Sequence, residues 1–249
     1  MGVSVAPEVM CTFLDAEGEE HSAALSRVDP VAVVHGRPAR AFPSHAALRH
    51  YPGWWWSATM GDLVGYESLL ERDCLMVADQ DPEVVGIASQ PLWLQGTLDD
   101  GQPVRHVPDY LLARRDGGWT LVDVKPQRLV DEPAVGKVLS WTGQVAARRG
   151  WAYEVWTGGS PVRLGNLHFL AQGRRPHLVD PVILVCFPTI ARPGMRLATL
   201  QEQAQATGGW SASAVRSALI TALWSGSVSV DLDQPLTNNS LVTRVRSAA

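Results

Sequence analysis

Lysine is nearly missing from this chain: of 21 basic residues only Lys125 and Lys137 are lysine, and the other 19 are arginine. Such a bias reflects genome composition, and it marks two positions where lysine persists although arginine is the habit. Cysteine is scarce too. Cys11, Cys74 and Cys186 stand apart with no C-x-x-C pair, which excludes a disulfide framework and a zinc knuckle and predicts a reducing, cytoplasmic setting. No apolar run approaches the roughly 18 residues of a membrane span, and the N-terminus lacks a basic segment followed by an apolar one. A soluble intracellular protein with no membrane partner is expected. Repeats and low-complexity stretches are absent. What is present is 249 residues, 46% of them hydrophobic, with 25 acidic side chains and a net charge of −4. That balance excludes a disordered or collagen-like chain and suits one large domain or two small ones. The charge is uneven: residues 1–100 carry −10, 101–180 carry +4 and 181–249 carry +2. The later two thirds are able to offer a positive face, although charge alone does not decide between that and an ordinary mixed surface.

The pattern along the chain predicts a mixed α/β core. Residues 1–50 read as an N-terminal extension, with apolar runs at Met10–Leu14 and Ser22–Val28 flanking the turn Asp15-Ala16-Glu17-Gly18 as a hairpin. The cluster Tyr51-Pro52-Gly53-Trp54-Trp55-Trp56 could stack on bases, but partly buried packing is the expected role. Leu63, Tyr66, Leu70, Cys74 and Val77 predict an amphipathic helix over Asp62–Ala78, with Asp62 as a candidate N-cap. Strands are expected at Val84–Ser89 continuing towards Leu98, at Val104–Ala113 and at Trp119–Val124, with turns at Asp99-Asp100-Gly101 and Asp116-Gly117-Gly118. A helix over Ala134–Arg149 and a strand over Trp151–Thr157 complete a core spanning 51–175, in the order helix-strand-strand-strand-helix-strand. A short helix is expected at Arg163–Gln172 and a linker strand at Val182–Phe187. Residues 176–249 then hold helices at Leu197–Ala206 and Ser213–Trp224, the second capped by Ser211, and strands at Val228–Leu232 and Leu241–Val245. That order reads as a winged-helix-like domain.

The chemistry concentrates in the core. Asp109 lies in an apolar strand 14 residues before Asp123, and the two flank the Asp116-Gly117-Gly118 turn, so a hairpin there draws them together at one sheet end. Lys125, two residues beyond Asp123, projects to the same face. Glu67 precedes Asp109 by 42 residues, on the expected helix. A carboxylate cluster beside an ammonium is costly unless something compensates. Phosphodiester hydrolysis supplies a reason: carboxylates bind Mg²⁺ or Mn²⁺, the ion activates water, and a lysine offsets charge building on the phosphate. Either motif alone is weak; the set at matching places in one core is moderately specific.

The runs Gly65-Tyr66-Glu67-Ser68-Leu69-Leu70-Glu71-Arg72-Asp73, Asp79-Gln80-Asp81-Pro82-Glu83-Val84, Gln90-Pro91, His106-Val107-Pro108-Asp109-Tyr110-Leu111 and Val122-Asp123-Val124-Lys125 resemble the TnsA-type transposase endonucleases. These belong to the PD-(D/E)XK, restriction-endonuclease-like nucleases, and the resemblance covers about Trp54 to Thr157. It implies metal-site roles for Glu67, Asp109 and Asp123 and a catalytic role for Lys125. The Asp123 position varies in the family and can be glutamine. The resemblance further implies cleavage of double-stranded DNA at the 5′ ends of a mobile element, a DDE transposase subunit and an AAA+ ATPase regulator as partners, and a bacterial, DNA-associated location. Weaker candidates for DNA contact are His106, Gln144, Arg148, Arg149 and Arg216. Gly136-Lys137 is not a phosphate-binding loop, since Asp131 and Val138 occupy its required Gly and Ser/Thr positions. The competing readings are a restriction or repair nuclease without transposition partners and a catalytically idle scaffold that binds DNA or protein.

Overall fold

A computed structural model describes residues 8–40 and 51–246, and the rest of the expected N-terminal extension lies outside the described residues. The fold is mixed α/β with several sheets. The described residues divide into two compact units: 8–40, 51–55, 59–78 and 83–158 form the first, and 56–58, 79–82 and 159–246 the second.

In the first unit β1 (Met10–Leu14) and β2 (Glu20–Ala24) form the expected hairpin, followed by the one-turn α1 (Pro30–Val34). The hairpin is not a separate appendage, because β1 also pairs antiparallel with β6 (Trp93–Thr97). With β7 (Pro103–His106), these strands make a sheet in the order β2-β1-β6-β7. β3 (Gly53–Ser57) and β4 (Asp62–Tyr66) form a two-stranded ribbon, and α2 (Leu69–Gln80) follows; Trp56 and Ser57 of β3 and the last two residues of α2 are counted with the second unit. The second large sheet runs β10-β9-β8-β5, from β5 (Val84–Ser89), β8 (Tyr110–Arg114), β9 (Trp119–Val124) and β10 (Ala152–Trp156). β5, β8 and β9 are antiparallel neighbours, whereas β10 lies parallel to β9 after a crossover through α3 (Gln127–Val130) and α4 (Pro133–Arg149). Gly150, with φ of 75°, supplies the left-handed cap that ends α4. Leu94, Val104, Leu111, Leu121, Trp141 and Val145 meet in one buried core.

Three expectations in this unit need correction. Residues 62–66 are strand, not the start of a helix, so Asp62 caps nothing and Glu67 sits at the joint between β4 and α2. The Val104–Ala113 run is two strands in two different sheets, divided at Val107-Pro108-Asp109. Proline has no N–H for a ladder, so it marks the point where the chain leaves one sheet for the other. Val84–Ser89 likewise stops short of β6: Gln90 takes a positive φ of 45° and turns the chain.

The second unit contains α5 (Pro161–Leu170), α6 (Pro181–Ile190), α7 (Leu197–Gly208), α8 (Ala212–Trp224), and the antiparallel pair β11 (Val228–Val230) and β12 (Val242–Val245). Ser211 caps α8 by accepting from Ala214 N–H. The expected linker strand at Val182–Phe187 is instead the helix α6, started by Asp180 as N-cap with Pro181 behind it. Leu170, Phe187, Leu200, Val215 and Leu219 are all buried in this unit. Among the described residues no helix is long and apolar enough to cross a membrane, and all three cysteines are buried and free.

Candidate active site

The hairpin β8–β9 places the two aspartates. Tyr110 pairs with Val122, so one further step of the register sets Asp109 opposite Asp123 at the open end of the hairpin. Asp109 Oδ2 accepts from Val124 N–H at 2.7 Å and from Lys125 Nζ at 2.9 Å. The same ammonium lies 3.9 Å from Asp123 Oδ1, so both carboxylates attend one cation. Asp123 is fully buried. His106 Nε2 bonds both of its oxygens, at 2.8 and 3.0 Å, and Tyr153 Oη donates to Oδ2 at 2.6 Å. Tyr153 reaches it because Val155 pairs with Asp123 across the parallel β9–β10 ladder, and Tyr153 shares Val155's face.

The start of α2 brings the other acids. Tyr110 Oη donates to the carbonyls of Gly65 and Glu71, tying the β4–α2 joint to β8. Ser68 Oγ accepts from Glu71 N–H and donates to Glu71 Oε1, while Glu71 Oε2 accepts from Glu67 N–H. This Ser68-Leu69-Leu70-Glu71 arrangement is a variant of the capping box, and that S-x-x-E spacing was the available sequence signal for Glu71. Glu67 Oε2 takes a 2.5 Å ion pair from Arg40, and its Oε1 is buried with no hydrogen-bond partner. Glu67, Ser68, Glu71, Lys125 and Arg128 line a cleft of about 290 Å³.

Negative charge is in excess here. Burial pushes Glu71 up to about 7, and the Asp109 charge adds to the effect. Asp109 is raised chiefly by burial and further by Asp123, against the lowering influence of Lys125. Burial favours the neutral form of Lys125, but Asp109 and Asp123 outweigh it and keep the ammonium protonated. A carboxylate oxygen without a partner beside acids held above their usual range is a donor set that suits a hard divalent cation. The carboxylates are not drawn into a tight ligand cage. Among the described residues, the one set of three groups with ligand atoms within 4.8 Å is Asp15, Glu19 and His21 on the β1–β2 turn, exposed or half-buried.

The structure thus brings together Asp109, Asp123, Lys125 and His106, and puts Glu67 with Lys125 on the same cleft. Gln144 and Arg148 are exposed on α4 and do not line it. Arg149 donates to the carbonyls of Leu25 and Val28 and lies over Trp151, which makes it a clamp between elements. Arg216 is on α8 in the second unit, over Phe169. Three residues escaped the sequence reading as site members: Glu71, Tyr153 and Gln90. Gln90 N–H donates to Asp109 O, and its side-chain amide is buried with neither end bonded. No protein-family profile matches the chain, and no curated protein shows significant sequence similarity to it.

Proposed function

We propose that the chain is a metal-dependent DNA endonuclease with a restriction-endonuclease-like core and a winged-helix-like second domain, acting as the TnsA-like subunit of a heteromeric transposase. The carrying observation is the Lys125 ammonium held between Asp109 and Asp123 at the open end of one hairpin. The sequence α2, β5, β8, β9, α4, β10 supports the core assignment, and α7, α8, β11, β12 support the second domain. Asp109 and Glu67, with Asp123 behind them, would hold Mg²⁺ or Mn²⁺. When bound, the ion polarises a scissile phosphate and lowers the pKa of a coordinated water.

The chain's own residues then divide the work. Lys125 Nζ, fixed by Asp109 Oδ2 and by Val124 O at 3.1 Å, presents a compact positive charge to the phosphate. His106 and Tyr153 hold the orientation of Asp123. Arg128, on the rim of the same cleft, is placed to meet a neighbouring backbone phosphate. A DDE transposase subunit and an AAA+ ATPase would bring element ends to this cleft. The test is cleavage of an element-end duplex in Mg²⁺ with those partners added. Asp109→Ala and Lys125→Ala should each cut activity by at least about 100-fold while folding normally. Undiminished cleavage by either variant would sink the assignment.

A further inference from the structure

The second unit carries two arginine–aromatic pairs that the cleavage chemistry does not use. Arg175 lies over the Trp56 ring with its guanidinium carbon 5.6 Å from the centroid, and His177 meets that ring edge-on at 6.3 Å. Trp56 is half-buried, whereas Arg175 and His177 are exposed. Arg216 lies 6.0 Å over the ring of Phe169, a residue that is 38% exposed. The pairs share one corner. Phe169 is on the last turn of α5, and the chain then runs through Gly173 to Arg175 and His177. Gly173 lies against the backbone of α8: a Cβ there would sit 2.6 Å from Thr221 N and 2.7 Å from Ile220 C. Ile220 is one turn beyond Arg216, so the close approach at Gly173 fixes both pairs to α8. Arg174 stiffens the corner further, donating Nε to Trp56 O at 3.2 Å and Nη1 to Ala171 O at 2.7 Å.

The electrostatics match a polyanion. From Val155 to Val179 the sequence has no Asp or Glu; Arg163 pairs with Asp233, and Arg174 faces Asp79 and donates to backbone carbonyls, so the exposed Arg175 and Arg216 carry the outward charge. A groove of about 320 Å³ beside Arg216 and Phe169 adds the polar edges of Gln201, Thr237 and Asn238. Exposed guanidinium groups lying 5.6 and 6.0 Å over aromatic rings pair a planar cation with an aromatic surface, the combination that meets nucleobases and phosphates in single-strand binding sites.

We infer that this corner is a binding track for single-stranded DNA, with stations at Trp56–Arg175–His177 and at Phe169–Arg216. The choice of DNA as ligand rests on the function proposed above; the strandedness rests on exposed arginines set beside partly exposed aromatic rings, since paired bases offer no free face to them. Such a track would hold a strand freed near a cleaved end.

The experiment measures anisotropy of a fluorescein-labelled oligothymidylate, and of a duplex of equal length, on the full chain carrying Asp109→Ala in EDTA. Metal chemistry is thereby removed from the readout. Arg175→Ala with Arg216→Ala should weaken oligothymidylate binding about 5- to 100-fold, the range expected for losing stacked bases, and duplex binding much less. Arg175→Lys keeps the charge but loses the plane, and should recover only part of the loss. Trp56→Phe, a milder change than removing the ring, should fall between wild type and Arg175→Ala, with thermal melts reporting folding. Unchanged single-strand binding in the double variant would overturn the track and leave the corner as at most a protein-contact surface. Wild-type binding by Arg175→Lys, or equal loss on duplex, would overturn the stacking claim. Failure of the cleavage assignment leaves this measurement interpretable, and failure of the track leaves Mg²⁺-dependent cleavage untouched.

Discussion

Glu71 shows how a single side chain serves two ends at once. Its carboxylate closes the cap of α2, and its position beside Asp109 and Glu67 makes it part of the acidic cluster. Its folded-state pKa of about 7 lies above the ordinary 4.5. The folded protein therefore holds this proton more tightly than the unfolded chain. The resulting stabilisation is complete below about pH 4.5 and is lost as pH rises through 7. Metal-free protein should accordingly melt at lower temperature at pH 8 than at pH 5, a difference on the order of 2–3 kcal/mol from this group. Asp109, also raised by burial, contributes in the same direction. Glu71→Gln should flatten most of the slope, and Mg²⁺ should raise the melting temperature more at pH 8 than at pH 5. A slope that survives Glu71→Gln unchanged would show that other groups carry it. At this scale the sequence was partly legible. Asp109 and Asp123 were readable because both lie seven residues from Asp116, the centre of a recognisable turn. Tyr153 was hidden because its role depends on the parallel register of β10, which a crossover of more than 25 residues sets.

Elements explain the sequence expectations that failed. Leu63, Tyr66, Leu70, Cys74 and Val77 do recur at helical spacing, but the first two belong to β4, where pairing with β3 overrides the period. The helix begins instead at the Ser68 cap. Val182–Phe187 looks like a strand because it is β-branched and apolar, yet Asp180-Pro181 is an N-cap followed by proline at the first helical position, and tertiary packing on α7 and α8 decides the outcome. One helix–strand contact carries a prediction about the site. A Cβ on Gly143 of α4 would come within 2.9 Å of Tyr153 Cδ1, so the glycine makes room for the ring that holds Asp123. Gly143→Ala gains about 1 kcal/mol of helix propensity and offsets it by displacing Tyr153. The melting temperature should move by only a few degrees, while cleavage falls about tenfold because Asp123 loses its bond. A double-mutant cycle with Tyr153→Phe checks the route. Strong non-additivity is expected, and independent, additive losses would break the link between α4 and Asp123.

On the scale of the whole molecule, the charge is divided between the units. Among the described residues the first carries 12 basic and 19 acidic side chains, and the second 8 basic and 6 acidic. The unit that holds the cleft is therefore net negative and on balance repels a polyanion, while Lys125 and Arg128 place local positive charge on the cleft. The second unit is only weakly positive. Non-specific affinity for duplex scales with the phosphates neutralised, so a chain of net charge −4 with one weakly positive unit should bind duplex weakly and lose little affinity as salt is raised. On the proposed function, cleavage by the chain alone, in Mg²⁺ and at near-physiological salt, should be slow and indifferent to sequence, because the cationic groups lining the cleft, Lys125 and Arg128, suit phosphates rather than base edges. Adding a DDE transposase subunit and an AAA+ ATPase should raise the rate on an element-end duplex by about 100-fold or more through local concentration and orientation. The assay compares initial cleavage rates with and without those partners across a salt series. Robust, sequence-specific cutting by the lone chain would replace the transposase assignment with the restriction-enzyme alternative, while leaving the roles of Asp109 and Lys125 in place.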